Sequence, residues 1–116
     1  MERGEVRWYE FQAPDKRRPV LVLTRTSAIH FLNEVTIAPI TTTIRGIPSE
    51  VVLGIEDGLH QDCAVNFDHI QTVPKAKVGR LISSLSAKKM FQASIALCFA
   101  LGIDNLANPT GKTSGN

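Results

Sequence analysis

The chain has 116 residues, enough for one domain with its own core and too few for two ordinary ones. Apolar residues make up 43% and charged residues 21%, which fits neither a disordered nor a fibrous class, and the longest uncharged apolar stretch, residues 93–103, falls short of the roughly 20 residues of a membrane span. The net charge of +2 is too small to mark a nucleic-acid-binding protein by balance alone. Its distribution says more. Arg7, Lys16, Arg17, Arg18 and Arg25 lie early, while Lys75, Lys77, Arg80, Lys88 and Lys89 fall in a stretch with no acid. If these stretches meet they make a groove for an anion; if not, they are solvated turns. Nothing in MERGE resembles a secretory start, so a cytoplasmic protein is expected. Cys63 and Cys98 lack a CxxC partner and read as small buried hydrophobes.

Taken in order, residues 5–9 alternate polar and apolar as a half-buried strand does. QAPD at residues 12–15 is a turn, and residues 20–23, VLVL, form a continuous apolar strand. Residues 34–38 alternate again, RGIP at 45–48 is a second break, and residues 49–53 supply a further β segment. Asp57-Gly58 carries a turn signal before another strand at 63–67. Short strands at this spacing predict a mainly β domain, a small barrel or sandwich. After Arg80 the period changes. Ser86 suits a helix N-cap, Met90, Phe91, Ser94, Ile95, Leu97, Cys98 and Leu101 recur with helical spacing, and Gly102 suits a C-terminal cap. No charge falls between Lys89 and Asp104, so the apolar surface of this helix extends around more than one face and calls for a second packing partner, more of the barrel or another subunit. The domain is expected to span residues 1–104, with a flexible tail at 105–116 that lacks apolar periodicity.

No phosphate loop, dinucleotide fingerprint or zinc pair is present, and His30 with Glu34 is too little for a metal site; no metal or cofactor is expected. Three other elements carry chemistry. Pro19 fixes its own φ and lacks a donor, so it belongs at a strand start, with Arg18 at the last loop position and its guanidinium at the rim. In PITT, residues 39–42, Thr41 shares a face with Pro39 if the strand persists. In DCAVNFDHI, residues 62–70, extended geometry puts Ala64, Asn66 and Asp68 on one face and Val65, Phe67 and His69 on the other. Each element also has an ordinary explanation: a surface arginine beside a turn, threonines chosen for β propensity, a polar strand end.

Together and in this order, these elements resemble the MazF/PemK family of toxin endoribonucleases, in a mycobacterial-type branch. The resemblance also takes in RGEVRW at 3–8, RPVLVL at 18–23, VVL at 51–53, DGL at 57–59, GRL at 79–81 and Leu85-Ser86 before the last helix. It implies an SH3-like small β-barrel with a C-terminal helix, a homodimer, a MazE-like antitoxin as partner, and metal-independent cleavage of single-stranded messenger, transfer or ribosomal RNA to 2′,3′-cyclic phosphate and 5′-hydroxyl ends. The family's catalytic arginine before proline falls on Arg18, its catalytic threonine on Thr41, and an acidic position used by some members on Asp68. Lys16, Arg17, Thr42, Arg45 and Asn66 are the expected RNA contacts. Some members have an arginine where this chain has Asn66, and a histidine in the loop at 13–17, which this chain lacks.

Cleavage of RNA by its own 2′-hydroxyl requires removal of that proton, stabilisation of charge on the phosphorane and protonation of the leaving 5′-oxygen. Arg18 suits the second task, because a guanidinium offers forked donors and stays charged. Thr41 can donate to a nonbridging oxygen, and Asp68 is the expected base on position and face. A rival pair, His60 and His69, predicts a bell-shaped rate profile near neutral pH. Two readings in other classes also fit the composition: a non-enzymatic CcdB-like toxin that acts by binding, and a plain SH3-like interaction module.

Overall fold

A proline sits inside each of the two strands that organise the fold, and each marks a place where the sheet has a partner on one side only. The structure, a computed structural model, describes residues 1–12 and 16–104; most of the expected turn at 12–15 and the tail at 105–116 lie outside the described residues. Strand β1 (Glu5–Glu10) pairs antiparallel with β2 (Arg17–Val22), in the register Trp8 to Pro19, Tyr9 to Arg18 and Glu10 to Arg17. Strand β2 therefore begins three residues before the expected apolar run, and Arg18 is a ladder residue, not the end of a loop. Pro19 is tolerated there because the next ladder, to β3 (Glu34–Thr41), starts only at Val20 opposite Pro39. Pro39 sits between two further partners of β3. Strand β6 (Gln71–Pro74) pairs with residues 34–37, and β5 (Cys63–Asn66) pairs with Ile40 and Thr41.

Strand β4 (Glu50–Leu53) extends the sheet beyond β5, and β7 (Val78–Ser84) extends it beyond β1, giving the order β4-β5-β3-β2-β1-β7. The expected class, mainly β with a C-terminal helix, is what the chain forms. The barrel is not closed, because no ladder joins β4 to β7 among the described residues. Strand β7 escaped the period-2 reading because its ladder with β1 shifts register twice, between Val6 and Arg7 and between Arg7 and Tyr9. A short helix α1 (Thr26–Ile29), with no side-chain cap of its own, links β2 to β3; its Ile29 carbonyl accepts from Lys75 Nζ at 2.7 Å.

Both faces of the sheet are buried. Leu21, Ala38, Ile40, Val51, Leu53, Val65 and Phe67 face helix α2 (Ala87–Leu101), which contributes Ala93 and Ala96. Val20, Val22, Ile29, Val35, Ile37 and Val73 form a second cluster on the other face. This double burial is why residues 20–23 are continuously apolar instead of alternating. Truncating Leu21, which is fully buried, is expected to cost about 2–5 kcal/mol. Helix α2 is capped as its sequence predicts: Ser86 Oγ accepts from Lys89 N–H at 3.1 Å, and Gly102, at φ +71°, lets Ile103 N–H reach the Cys98 carbonyl at 2.8 Å. Gly58 is also in the left-handed region, and a Cβ there would meet Ser83 Oγ at 2.3 Å, so the Asp57-Gly58 turn admits no side chain.

Candidate active site

Strand parity builds the site. Val20 and Val22 lie in the second cluster, so Arg18, two residues earlier on β2, falls on the same face; Val35 and Ile37 carry Pro39 and Thr41 onto it along β3, and Val73 carries Gln71. Where the apolar side chains stop, a cavity of about 340 Å³ opens, lined by Arg18, Thr41, Asn66, His69 and Arg45, with Phe11, Pro39, Thr43 and Gln71 completing its wall. Arg18 and Thr41 thus meet at one polar mouth. Two cationic side chains share it, which makes it an anion site by composition.

The hydroxyl of Thr41 has a set direction. Its oxygen accepts from Thr43 N–H at 2.8 Å, while the Thr43 carbonyl lies at 3.5 Å, too far to hold the hydroxyl proton, which is therefore available to a ligand. Arg45 is carried by a loop tied to β4: its N–H and that of Gly46 donate to Glu50 Oε1 at 3.0 and 3.1 Å.

Residues 67–69 overturn the expected alternation. The chain leaves β5 at Asn66 and makes one 3-10 turn, so Asp68 and His69 are no longer on opposite faces of a strand. His69 lines the cavity, contrary to expectation, and Asn66 Nδ2 lies 3.1 Å from its Nδ1. Asp68 is not a lining residue. Its carboxylate accepts from Ser49 Oγ at 2.6 Å, and its N–H donates to Asn66 Oδ1 at 2.9 Å. Ser49, itself buried, also accepts Phe67 N–H on its carbonyl at 3.0 Å. These bonds hold the turn that presents His69. The signal was present in the sequence as Asn66 followed two residues later by Asp68, a local cap of the kind Asn commonly makes.

Arg17 and Arg18 part company. Arg17 has the parity of Pro19 and Leu21, and its guanidinium stacks over Trp8 at 4.4 Å on the helix side of the sheet. There a cavity of about 250 Å³ is lined by Arg17, Trp8, Thr42, His60 and Gln61, and also by Thr41, so the two cavities adjoin across the rim. His60 and His69 consequently line different cavities. Lys77 and Arg80 of the second basic stretch gather with Arg17 around a third hollow, where Glu10 is the one acid among the described residues. The basic stretches do meet, at Arg17 and not at Arg18. Lys16 is exposed and lines none of these hollows. Cys63 borders the second cavity; burial pushes its thiol up, and the Asp62 and Asp57 carboxylates add to this, consistent with a small buried hydrophobe. Among the described residues no three His, Cys, Asp or Glu side chains gather as a metal-ligand set, and no helix is long and apolar enough to cross a membrane.

Residues 2–101 match the family described as PemK-like, MazF-like toxin of type II toxin-antitoxin system. The chain belongs to the PemK/MazF toxin family. Endoribonuclease MazF3 of Mycobacterium tuberculosis is 42% identical over 90 residues, spanning 78% of this toxin and 87% of the relative. The solved Mycobacterium tuberculosis toxin MazF-mt6 superposes with a TM-score of 0.80 at 38% identity, over 87% of this PemK/MazF chain and 99% of its own. An endoribonuclease from a mycobacterial species, solved in complex with its cognate antitoxin, superposes with a TM-score of 0.79 at 28% identity, over 89% of this chain and 96% of its own.

Proposed function

We propose that this toxin is an endoribonuclease that cuts single-stranded RNA by attack of a 2′-hydroxyl on its own phosphate, leaving a 2′,3′-cyclic phosphate and a 5′-hydroxyl, with no metal required. The observation that carries the reading is the shared cavity of Arg18 and Thr41, on rigid strands, with the Thr41 proton available to a ligand. The endoribonuclease names of its relatives agree with it. The Arg18 guanidinium sets two donors on the nonbridging oxygens where phosphorane charge develops, and the Thr41 hydroxyl adds a third. Both groups are held on a sheet, so little ordering is left for the transition state. Arg45 contacts the RNA beside the scissile phosphate, whereas Asn66, its amide engaged by Asp68 N–H and His69 Nδ1, acts through His69 and not by the expected RNA contact. Asp68 acts through the turn it anchors, since its carboxylate lies on Ser49.

The expected test result is direct. The purified protein, incubated with mixed single-stranded RNA in excess chelator, produces new 5′-hydroxyl ends at a short recurring sequence, read by end-selective sequencing. An uncut RNA pool would reject the enzyme in favour of a CcdB-like or SH3-like binding role. We also propose cytoplasmic action, a homodimer and a MazE-like antitoxin. Phe91, Ile95 and Phe99, spaced four residues apart on α2 and more than half exposed, support a second copy packing on the helix. Light scattering is expected to give twice the chain mass, and half that for Phe99→Asp. The cluster of Arg17, Lys77 and Arg80 suits an acidic antitoxin segment that folds on binding, which should abolish RNA cleavage when co-expressed.

A further inference from the structure

The Asn66–His69 contact determines where the imidazole carries its proton. Asp68 N–H is a backbone group and can only donate, so the Asn66 atom facing it at 2.9 Å is the amide oxygen. The other amide atom, 3.1 Å from His69 Nδ1, is then the nitrogen. An amide nitrogen also only donates, so Nδ1 is the acceptor, and the N–H of the ring is at Nε2. A proton on Nδ1 would meet the Asn66 N–H head-on. Asn66 is only 6% exposed, and its oxygen is held by the turn that Ser49 and Asp68 brace, so a flip of the amide would break the bond to Asp68 N–H. With Nδ1 occupied, Nε2–H is the ring's remaining polar edge, and His69 lines the cavity that holds Arg18 and Thr41.

We infer that Asn66 is a positioning residue that fixes His69 as the Nε2–H tautomer, so that His69 serves the reaction as a hydrogen-bond donor to a phosphate oxygen and not as the base that takes the 2′-hydroxyl proton. The catalytic half of this inference rests on the endoribonuclease reading; the tautomer does not. A base needs a lone pair facing the substrate, whereas a donor needs an N–H there. Glutamine can place an amide N–H near the position of Nε2 but cannot act as a base.

Two measurements on the full chain test it. Long-range proton–nitrogen correlation spectra of the ¹⁵N-labelled protein, recorded at about pH 8, above the ordinary imidazole range, are expected to show His69 protonated at Nε2. In Asn66→Asp, where only acceptors face the ring, the proton is expected to move to Nδ1. Single-turnover RNA cleavage is expected to fall on the order of 100-fold in His69→Ala and to be largely recovered in His69→Gln. A wild-type Nδ1–H, an Asn66→Asp protein that folds and keeps Nε2–H, or a His69→Gln as slow as His69→Ala would each overturn the inference. A wild-type protein that leaves RNA uncut would remove the enzyme reading, while the spectra would still decide the tautomer.

Discussion

Arg17 and Arg18 are neighbours in sequence and belong to opposite sides of the molecule. Arg18 shares a face with Val20 and Val22 and enters a cavity with Thr41, Asn66 and His69; Arg17 shares a face with Leu21 and lies across Trp8, beside Lys77 and Arg80. The first is carried by a strand paired to β1. The second stacks on the half-buried Trp8 ring, with Lys77 and Arg80 close by. One residue of strand parity therefore separates the group we propose for chemistry from the group we propose for attraction.

Several substitutions can break or sharpen that contrast. The largest losses are expected on the Arg18 face. Thr41→Val keeps the shape and removes the hydroxyl, and it should slow single-turnover cleavage by 100- to 1,000-fold with an unchanged melting temperature. Arg18→Lys keeps the charge but not the forked donors, and a loss on the order of 100-fold is expected in the same assay. On the other face the effect should be electrostatic. Arg17→Gln should weaken RNA binding a few-fold across all sequences and lower the slope of log affinity against log salt by about 1, measured by fluorescence titration. If Arg17→Gln instead changes the sequence that is cut, the Trp8 face reads bases, and the contrast fails.

The smallest expected effect lies at the far end of the Arg18 face, where Arg7 Nε donates to Glu5 at 2.7 Å and Arg7 Nη1 to the Gly79 carbonyl at 2.9 Å. Burial pushes the Glu5 carboxyl up, but the Arg7 hydrogen bond, the Glu2 backbone and nearby positive charge outweigh it, and the net shift is downward. A carboxyl lowered on folding stabilises the protein above its unfolded pKa, and that contribution is lost as pH falls through the folded value. Glu5→Gln should therefore cost under about 1 kcal/mol at neutral pH, with a smaller difference from wild type in acid, as chemical denaturation across pH would show.

How much of this was legible in the sequence depended on whether local pattern and tertiary role agreed. The strands expected at 5–9, 34–38 and 49–53 from alternation and propensity form at 5–10, 34–41 and 50–53, and the helix is capped by Ser86 and Gly102 as expected. Strand β6 is only four residues long and β7 carries two register shifts, so neither shows a clean period. The prolines misled in a specific way: Pro19 suggested a strand start, yet the strand runs through it because its missing donor falls beyond the β3 ladder. At the site, the places of Arg18 and Thr41 beside Pro19 and Pro39 draw attention to them, their expected roles come from the family resemblance, and both line one cavity. His69 falls on the unexpected face because extended geometry ends at Asn66, which caps a 3-10 turn, three residues before His69.

We propose that the Arg18 face, and not the Arg17 face, is the catalytic one. The most direct measurement is a side-by-side comparison of Arg18→Ala, Arg17→Ala and wild type at saturating RNA under single-turnover conditions, with folding checked by circular dichroism. Arg18→Ala is expected to lose about 100- to 1,000-fold and Arg17→Ala less than about tenfold, with both proteins folded. Equal losses, or undiminished cleavage by Arg18→Ala, would contradict it.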